Sequence, residues 1–266
     1  MGWAFKTDER FSRLEITTVS KCSIDCAFCP QEAFQKEYSG CKSLSLENFK
    51  KVLLTVPKNV EIHFSGFSEP FLNLDCMNMI EHATTMGYKV VLFSTLVGLK
   101  TEDILRLKRC NPEIVLHLPD NLGNAKIPIT ETYKNSLIEV LSHLRVANFS
   151  VMNEKFESNQ RAGLCKNAVK VHRKGWFTCF KLRDPQFVML PNCDVVLCCM
   201  DFGLKHKLGN LLDQSYSEIA SSSGFLKIRK NRYRWDGDVL CRSCMWGSRR
   251  RLVKIISDEI TSKIVS

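Results

Sequence analysis

The chain has 266 residues, 44% of them hydrophobic, enough to bury a substantial core in one large domain or in one domain with a small appendage. No apolar run approaches the roughly 20 residues that a membrane-spanning helix needs, and the stretch at residues 1–10, with acidic residues and no long apolar core, does not read as a signal peptide. These features point to the cytoplasm. The formal charge of +10 is uneven: residues 1–150 carry 17 Lys+Arg against 17 Asp+Glu, whereas 151–266 carry 21 against 11.

Along the first 150 residues, strand-like and helix-like runs alternate. Leu14 to Val19 reads as a β-branched strand. Ser45 is a candidate N-cap for a helix carrying Leu46, Phe49, Val52 and Leu53. Val60 to Phe64 alternates as a second strand, and Asp75 is placed to cap a helix that stops at Gly87. Lys89 to Phe93 is a third, buried strand, and Thr101 is expected to cap a short helix. Glu113 to Leu118 is a fourth strand. Thr130 to Leu144 reads as a helix with Tyr133, Leu137, Val140, Leu141 and Leu144 on one face, and Ala147 to Val151 as a fifth strand. This rhythm predicts parallel βα units, an α/β fold with functional loops at the strand C-terminal ends. After residue 155 it breaks. Residues 158–178 read as a basic linker. Two short strands follow near Gln186–Leu190 and Val195–Cys198, then a helix around Tyr216–Lys230 and a final helix at 248–266.

Thirteen cysteines are too many for incidental use in a reducing compartment, where clustered thiols are more often metal ligands than disulfides. Cys22, Cys26 and Cys29 are spaced C-x3-C-x2-C directly after the first strand. Three thiolates leave one iron of a four-iron cluster open; the competing readings are a zinc knuckle or free thiols. After the second strand comes Gly66-Phe67-Ser68-Glu69-Pro70, in which Gly66 permits close backbone approach to a ligand, and backbone acceptors or Glu69 can take hydrogen bonds from an ammonium. Ser94 and Thr95 end the third strand. His117 and Asp120 end the fourth and are candidate catalytic residues, His117 with the competing reading of a core residue. Asn153 and Glu154 follow the fifth. Cys179, Cys198 or Cys199, Cys241 and Cys244 form a second set, whose C-x2-C suits either zinc or an iron–sulfur cluster. Cys41, Cys76, Cys110, Cys165 and Cys193 read as unclustered, small buried residues.

The C-x3-C-x-aromatic-C segment, with Phe28 as the aromatic residue, resembles the radical S-adenosylmethionine superfamily. The Gly66–Pro70 loop resembles that family's GGEP-type motif, with Ser68 where glycine is common. The frame Asn192-Cys193-Asp194-Val195-Val196-Leu197-Cys198, then Leu208-Gly209-Asn210, then Cys241-x-x-Cys244, resembles the SPASM/twitch auxiliary-cluster extension in its short, one-cluster form. Arg161-Ala162-Gly163 also recurs in such proteins.

The resemblance implies a partial (β/α)5-6 TIM-type barrel at 1–157, the linker at 158–178, and a small α+β auxiliary domain at 179–247. It implies S-adenosylmethionine and a [4Fe–4S] cluster on Cys22, Cys26 and Cys29. The cofactor would be contacted by Gly66, Ser68, Glu69, Pro70, Ser94 and Thr95. A second [4Fe–4S] cluster would sit on Cys179, Cys198, Cys241 and Cys244, with Cys198 aligning better than Cys199. The implied activity is cleavage of the cofactor to a 5'-deoxyadenosyl radical that abstracts hydrogen, with a flavodoxin- or ferredoxin-type reductant as partner. A small sugar- or aminocyclitol-like substrate, oxidised in a dehydrogenase-like reaction, is the first expectation. Modification of a ribosomal peptide is the second, weakened by the roughly 13 residues ahead of the first strand. A zinc module binding nucleic acid is the third, and requires the βα rhythm to be incidental.

Overall fold

The computed structural model describes residues 12–153, 160–166 and 168–247. The expected helix at 248–266 and Glu154 lie outside the described residues. Five βα-type strands appear in order: β1 (Arg13–Ile16), β2 (Glu61–Phe64), β3 (Val90–Ser94), β4 (Glu113–Leu118) and β5 (Val146–Val151). Between them run α1 (Gln31–Glu37), α2 (Leu46–Leu53), α3 (Cys76–Thr85), α4 (Thr101–Cys110) and α5 (Glu131–His143). The later part adds α6 (Phe180–Arg183), β6 (Gln186–Met189), β7 (Asp194–Val196), β8 (Lys207–Asn210), α7 (Tyr216–Ala220) and α8 (Ser223–Asn231).

All eight strands join one sheet in the order β5-β4-β3-β2-β1-β6-β7-β8. The pairs from β5 to β6 are parallel, and β7 and β8 return antiparallel. The sheet is thus an unclosed, TIM-type partial barrel whose sixth parallel strand, β6, comes from the segment after the linker and pairs with β1 from Arg13↔Gln186 to Ile16↔Met189. Within the expected linker, Arg173 and Phe177 donate backbone hydrogen bonds to Arg242 O (3.0 Å) and Arg232 O (3.1 Å), so 173–177 lies along 232–242.

Side chains alternate across each strand. Leu14, Ile16, Ile62, Phe64, Leu92, Leu116, Phe187 and Met189 pack under the helices, with Phe64 against Phe49 of α2 at 5.7 Å between ring centres. The opposite, inner face carries Glu15, His63, Phe93 and His117, polar or aromatic groups beside a second small cluster of Phe34, Phe67, Val188 and Phe202.

Several local expectations change. Helix α1 follows the first cysteine motif with only Phe34 buried. Ser45 caps as expected, accepting from Asn48 N, whereas Thr130, read as the first helical residue, is instead the N-cap and accepts from Tyr133 N, both at 3.2 Å. Thr101 is instead the first helical residue, after Lys100, and makes no cap. Asp75 holds the N-cap position without bonding the backbone; its carboxylate takes Asn78 Nδ2 instead. On α5 the buried residues are Tyr133, Ser136 and Val140, while Leu141 is 56% exposed, because among the described residues β5 is the sheet edge. The single helix expected at Tyr216–Lys230 divides in two, because Ser222 caps α8 by accepting from Phe225 N.

Candidate metal and cofactor site

The first cysteine loop leaves β1 through Thr17 and Thr18, both fully buried. Cys22, Cys26 and Cys29 are half-buried free thiols. Asp25 adopts a left-handed backbone (φ +48°), which turns the chain between the first two. Burial first, then the neighbouring thiols, pushes Cys26 up; burial likewise pushes Cys29 up to about 12, with Cys22 among the groups acting on it. The three sulfurs are therefore within electrostatic reach of one another, and they ionise together only where a cationic metal centre compensates them.

A second loop clasps this one. Asn124 O accepts from Ala27 N (2.7 Å) and Ile24 O from Lys126 N (2.7 Å), and Lys126 pairs with Asp25. Asp120 organises that loop: its carboxylate accepts from Asn124 N (3.1 Å) and Asn124 Nδ2 (2.6 Å), and these bonds hold it below the usual range. Cys165, read from sequence as unclustered, donates its thiol to Phe28 O at 3.1 Å and acts electrostatically on Cys29. Cys41, expected buried, is exposed, whereas Cys76 and Cys193 are buried.

The Gly66–Pro70 loop packs against the end of β1. Gly66 has φ +67°, and a Cβ there would run into Thr17 Oγ1 and the Thr17 backbone. Phe67 N donates to Thr17 Oγ1 (3.2 Å), Thr18 Oγ1 to Pro70 O (2.9 Å), and Val19 N to Ser68 Oγ (3.4 Å). Glu69 is 5% exposed, and burial pushes its carboxyl up. One of its oxygens accepts from Ser94 Oγ (2.7 Å) and Phe71 N (3.4 Å), the other from Thr95 N and Thr95 Oγ1 (both 2.8 Å). Four donors match the four lone-pair sites of a carboxylate. Glu69 therefore locks the loop to the end of β3, and the backbone carbonyls of the loop are the acceptors left for an ammonium. Glu69 also acts electrostatically on Cys22 and Cys26, so the motif residues and the cysteine loop form one neighbourhood.

On the inner face His117 packs against Phe93 in a tilted arrangement (5.9 Å between ring centres, 54° between planes). Burial, then the Arg161 guanidinium, lowers it to about 4, so its imidazole is neutral at pH 7. Arg161, Ala162 and Gly163 all take positive φ (42°, 55°, 88°). That tight turn sends Arg161 Nη1 to Cys199 O (3.1 Å), its guanidinium 5.3 Å from the Phe202 ring, and its charge onto Cys29 and His117. The sequence motif had singled out this turn without assigning Arg161 a place in the site. Asn153 lies two residues past β5, its N–H donating to Val151 O at 2.9 Å.

Cys179, Cys198, Cys241 and Cys244 are all buried. Cys241 acts on Cys198, and Cys179 and Cys244 act on Cys241; burial raises every one of these thiols for which a shift is resolved. Cys193 takes φ +65° at the hairpin position where the frame has glycine, and is fully buried. Cys199 accepts from Lys181 Nζ at 3.3 Å and feels Glu15 and Arg161 as well. Arg242, inside the C-x2-C, has no exposed surface; its guanidinium donates to the carbonyls of Gly237, Arg173, Gly175, Asn231 and Arg234 at 2.8–3.2 Å. Among the described residues, no three His, Cys, Asp or Glu close around the volume of a single metal ion. Both donor sets are nonetheless buried or half-buried, undisulfided thiols of the kind that iron–sulfur clusters take.

Residues 179–245 match the SPASM family, an iron–sulfur cluster-binding domain. No curated protein matches the sequence. Among solved structures, BtrN in complex with AdoMet and 2-DOIA superposes with a TM-score of 0.64 at 16% identity, covering 90% of this chain and 94% of that one. Native anSMEcpe with bound AdoMet and Cp18Cys peptide gives 0.52 at 15% identity, covering 88% and 86%. Streptococcus suis SuiB bound to S-adenosylmethionine gives 0.50 at 11% identity, covering 92% and 75%. The chain therefore shares the fold of these AdoMet-bound structures, and its residues 179–245 match the SPASM iron–sulfur cluster-binding family.

Proposed function

We propose that the protein is a radical S-adenosylmethionine oxidoreductase acting on a small polar, sugar- or aminocyclitol-like substrate at the inner face of the barrel. The observation that carries the enzymatic reading is the adjacency of three thiols and the Glu69-locked loop at the C-terminal ends of β1, β2 and β3. In this reading residues 1–157 hold the cofactor, 158–178 connect, and 179–247 hold the second cluster. Cys22, Cys26 and Cys29 would ligate the first cluster, and Cys179, Cys198, Cys241 and Cys244 the second. When bound, the clusters and S-adenosylmethionine supply electron transfer and hydrogen abstraction.

The chain's own residues do the rest. Gly66 to Pro70 bring backbone carbonyls to the cofactor's ammonium, while Glu69, Ser94 and Thr95 keep that loop in place. Arg161, beside Cys29, offers a guanidinium to a carboxylate. Asp120 keeps the 120–127 loop closed on the cysteines. Oxidising a carbinol to a carbonyl removes one hydrogen atom, one proton and one electron; neutral His117, on the inner face, accepts the proton. A flavodoxin- or ferredoxin-type protein is the expected reductant. Among the described residues no helix is long and apolar enough to cross a membrane.

The choice of a small substrate leans on the BtrN likeness and on the polar inner face; the peptide-bound anSMEcpe likeness keeps peptide modification as the second reading. Anaerobic protein should be brown, contain iron and sulfide, and release 5'-deoxyadenosine on reduction. Colourless, zinc-loaded protein would contradict the reading. Deuterium passing into 5'-deoxyadenosine from a labelled aminocyclitol, and not from candidate peptides, would support the small-substrate assignment; the reverse would favour peptides.

A further inference from the structure

A buried lysine sits where the barrel meets the auxiliary segment. Lys181 lies on α6, two residues after Cys179, with its side chain 11% exposed. Its ammonium donates to Gln186 Oε1 on β6 (2.9 Å) and to Cys199 Sγ (3.3 Å), and stands 3.8 Å from Glu15 Oε1 on β1. Glu15 is equally enclosed, and its other oxygen accepts from Ser65 Oγ at 3.4 Å. Lys181 acts electrostatically on both Cys198 and Cys199.

We propose that Lys181 raises the reduction potential of the auxiliary cluster and that Glu15, across from it, lowers it. This rests on the reading that Cys179, Cys198, Cys241 and Cys244 hold that cluster. A cluster on four thiolates gains a negative charge when reduced, and its potential follows nearby charge, hydrogen bonds to sulfur and burial. An ammonium in a poorly hydrated pocket stabilises the reduced form more than the oxidised one, and a carboxylate does the opposite. The effect holds whichever of the adjacent cysteines is the ligand: Cys199 takes the N–H directly, and Cys198 feels the same charge. Lys181 is therefore a positioning residue that makes the auxiliary cluster a better electron acceptor, and the link through Glu15 to β1 lets the barrel interior modulate it.

The test is an EPR-monitored redox titration of anaerobic protein carrying C22A, C26A and C29A, so that only the auxiliary cluster contributes. K181Q should shift its midpoint negative, E15Q should shift it positive, and K181R should restore most of the Lys181→Gln shift. A merely structural role would not produce shifts of opposite sign. Should K181Q lose its cluster, E15Q and K181R still carry the test. Unchanged midpoints in E15Q and K181Q at full iron content would overturn the inference and leave the family reading standing; zinc in place of iron in the Cys22/26/29 variant would overturn both.

Discussion

The two cysteine sites differ in how the protein holds them. The first is a half-buried loop clamped from outside, by Asn124 and Lys126 on one side and by the Glu69-locked turn on the other. The second is fully buried, and its C-x2-C is stapled from within by Arg242. A site that must admit a cofactor keeps one side accessible and draws its order from hydrogen-bonded loops. On the proposed function the second site only has to hold a cluster; it is packed shut, and depends on its buried donors and acceptors being satisfied.

The comparison breaks most visibly at Arg242. Replacing it with Met leaves five carbonyls short of a donor, the Gly175 carbonyl in a buried bond and the other four in partly buried ones; the buried one costs on the order of 1–3 kcal/mol when unmade, the others less where water reaches them. Arg242→Met should lower thermal stability by several degrees or more and lose auxiliary-cluster iron, while the first cluster still assembles; thermal denaturation and iron counting read both. Glu69→Gln comes next. An amide has one oxygen where the carboxylate has two, so at least one of the Ser94 and Thr95 bonds fails, at about 1–3 kcal/mol. We expect S-adenosylmethionine affinity to fall by roughly tenfold or more, measured by equilibrium binding, with auxiliary iron unchanged.

The smaller effects lie in the outer clamp and in proton balance. Asp120→Ala removes both bonds to Asn124 and should cost about 1 kcal/mol, seen as a several-fold rise in KM for the cofactor with little change in kcat. His117 is held near 4 in the folded protein and titrates at its ordinary value, about 6.5, when unfolded. The unfolded chain thus binds the proton that folded His117 refuses. Its contribution makes stability highest above about pH 6.5 and lowers it as the pH falls toward about 4. His117→Gln should flatten that part of the melting-temperature profile.

The legible parts of the sequence were local. Alternation placed β2 to β5 to within a residue or so, serine marked the cap of α2, and spacing singled out Cys22, Cys26 and Cys29, which act electrostatically on one another. What escaped depends on partners far along the chain. Nothing near Gln186 says that β6 pairs with β1, because that register is set across more than 170 residues. Arg242 looks like a surface residue until five carbonyls from 173–175 and 231–237 converge on it. Arg161 enters the site only through three successive left-handed residues, and only the last of them is a glycine. Leu141 fits a helical apolar stripe, yet the sheet ends at β5 and leaves it exposed.

The most direct test of the central claim is the EPR spectrum of reduced wild-type protein with and without S-adenosylmethionine, compared with the C22A/C26A/C29A variant. The account predicts two cluster signals in the wild type, of which the cofactor perturbs only the one missing from the variant. A spectrum that the cofactor leaves untouched, or a cofactor response that survives loss of the three cysteines, would contradict it.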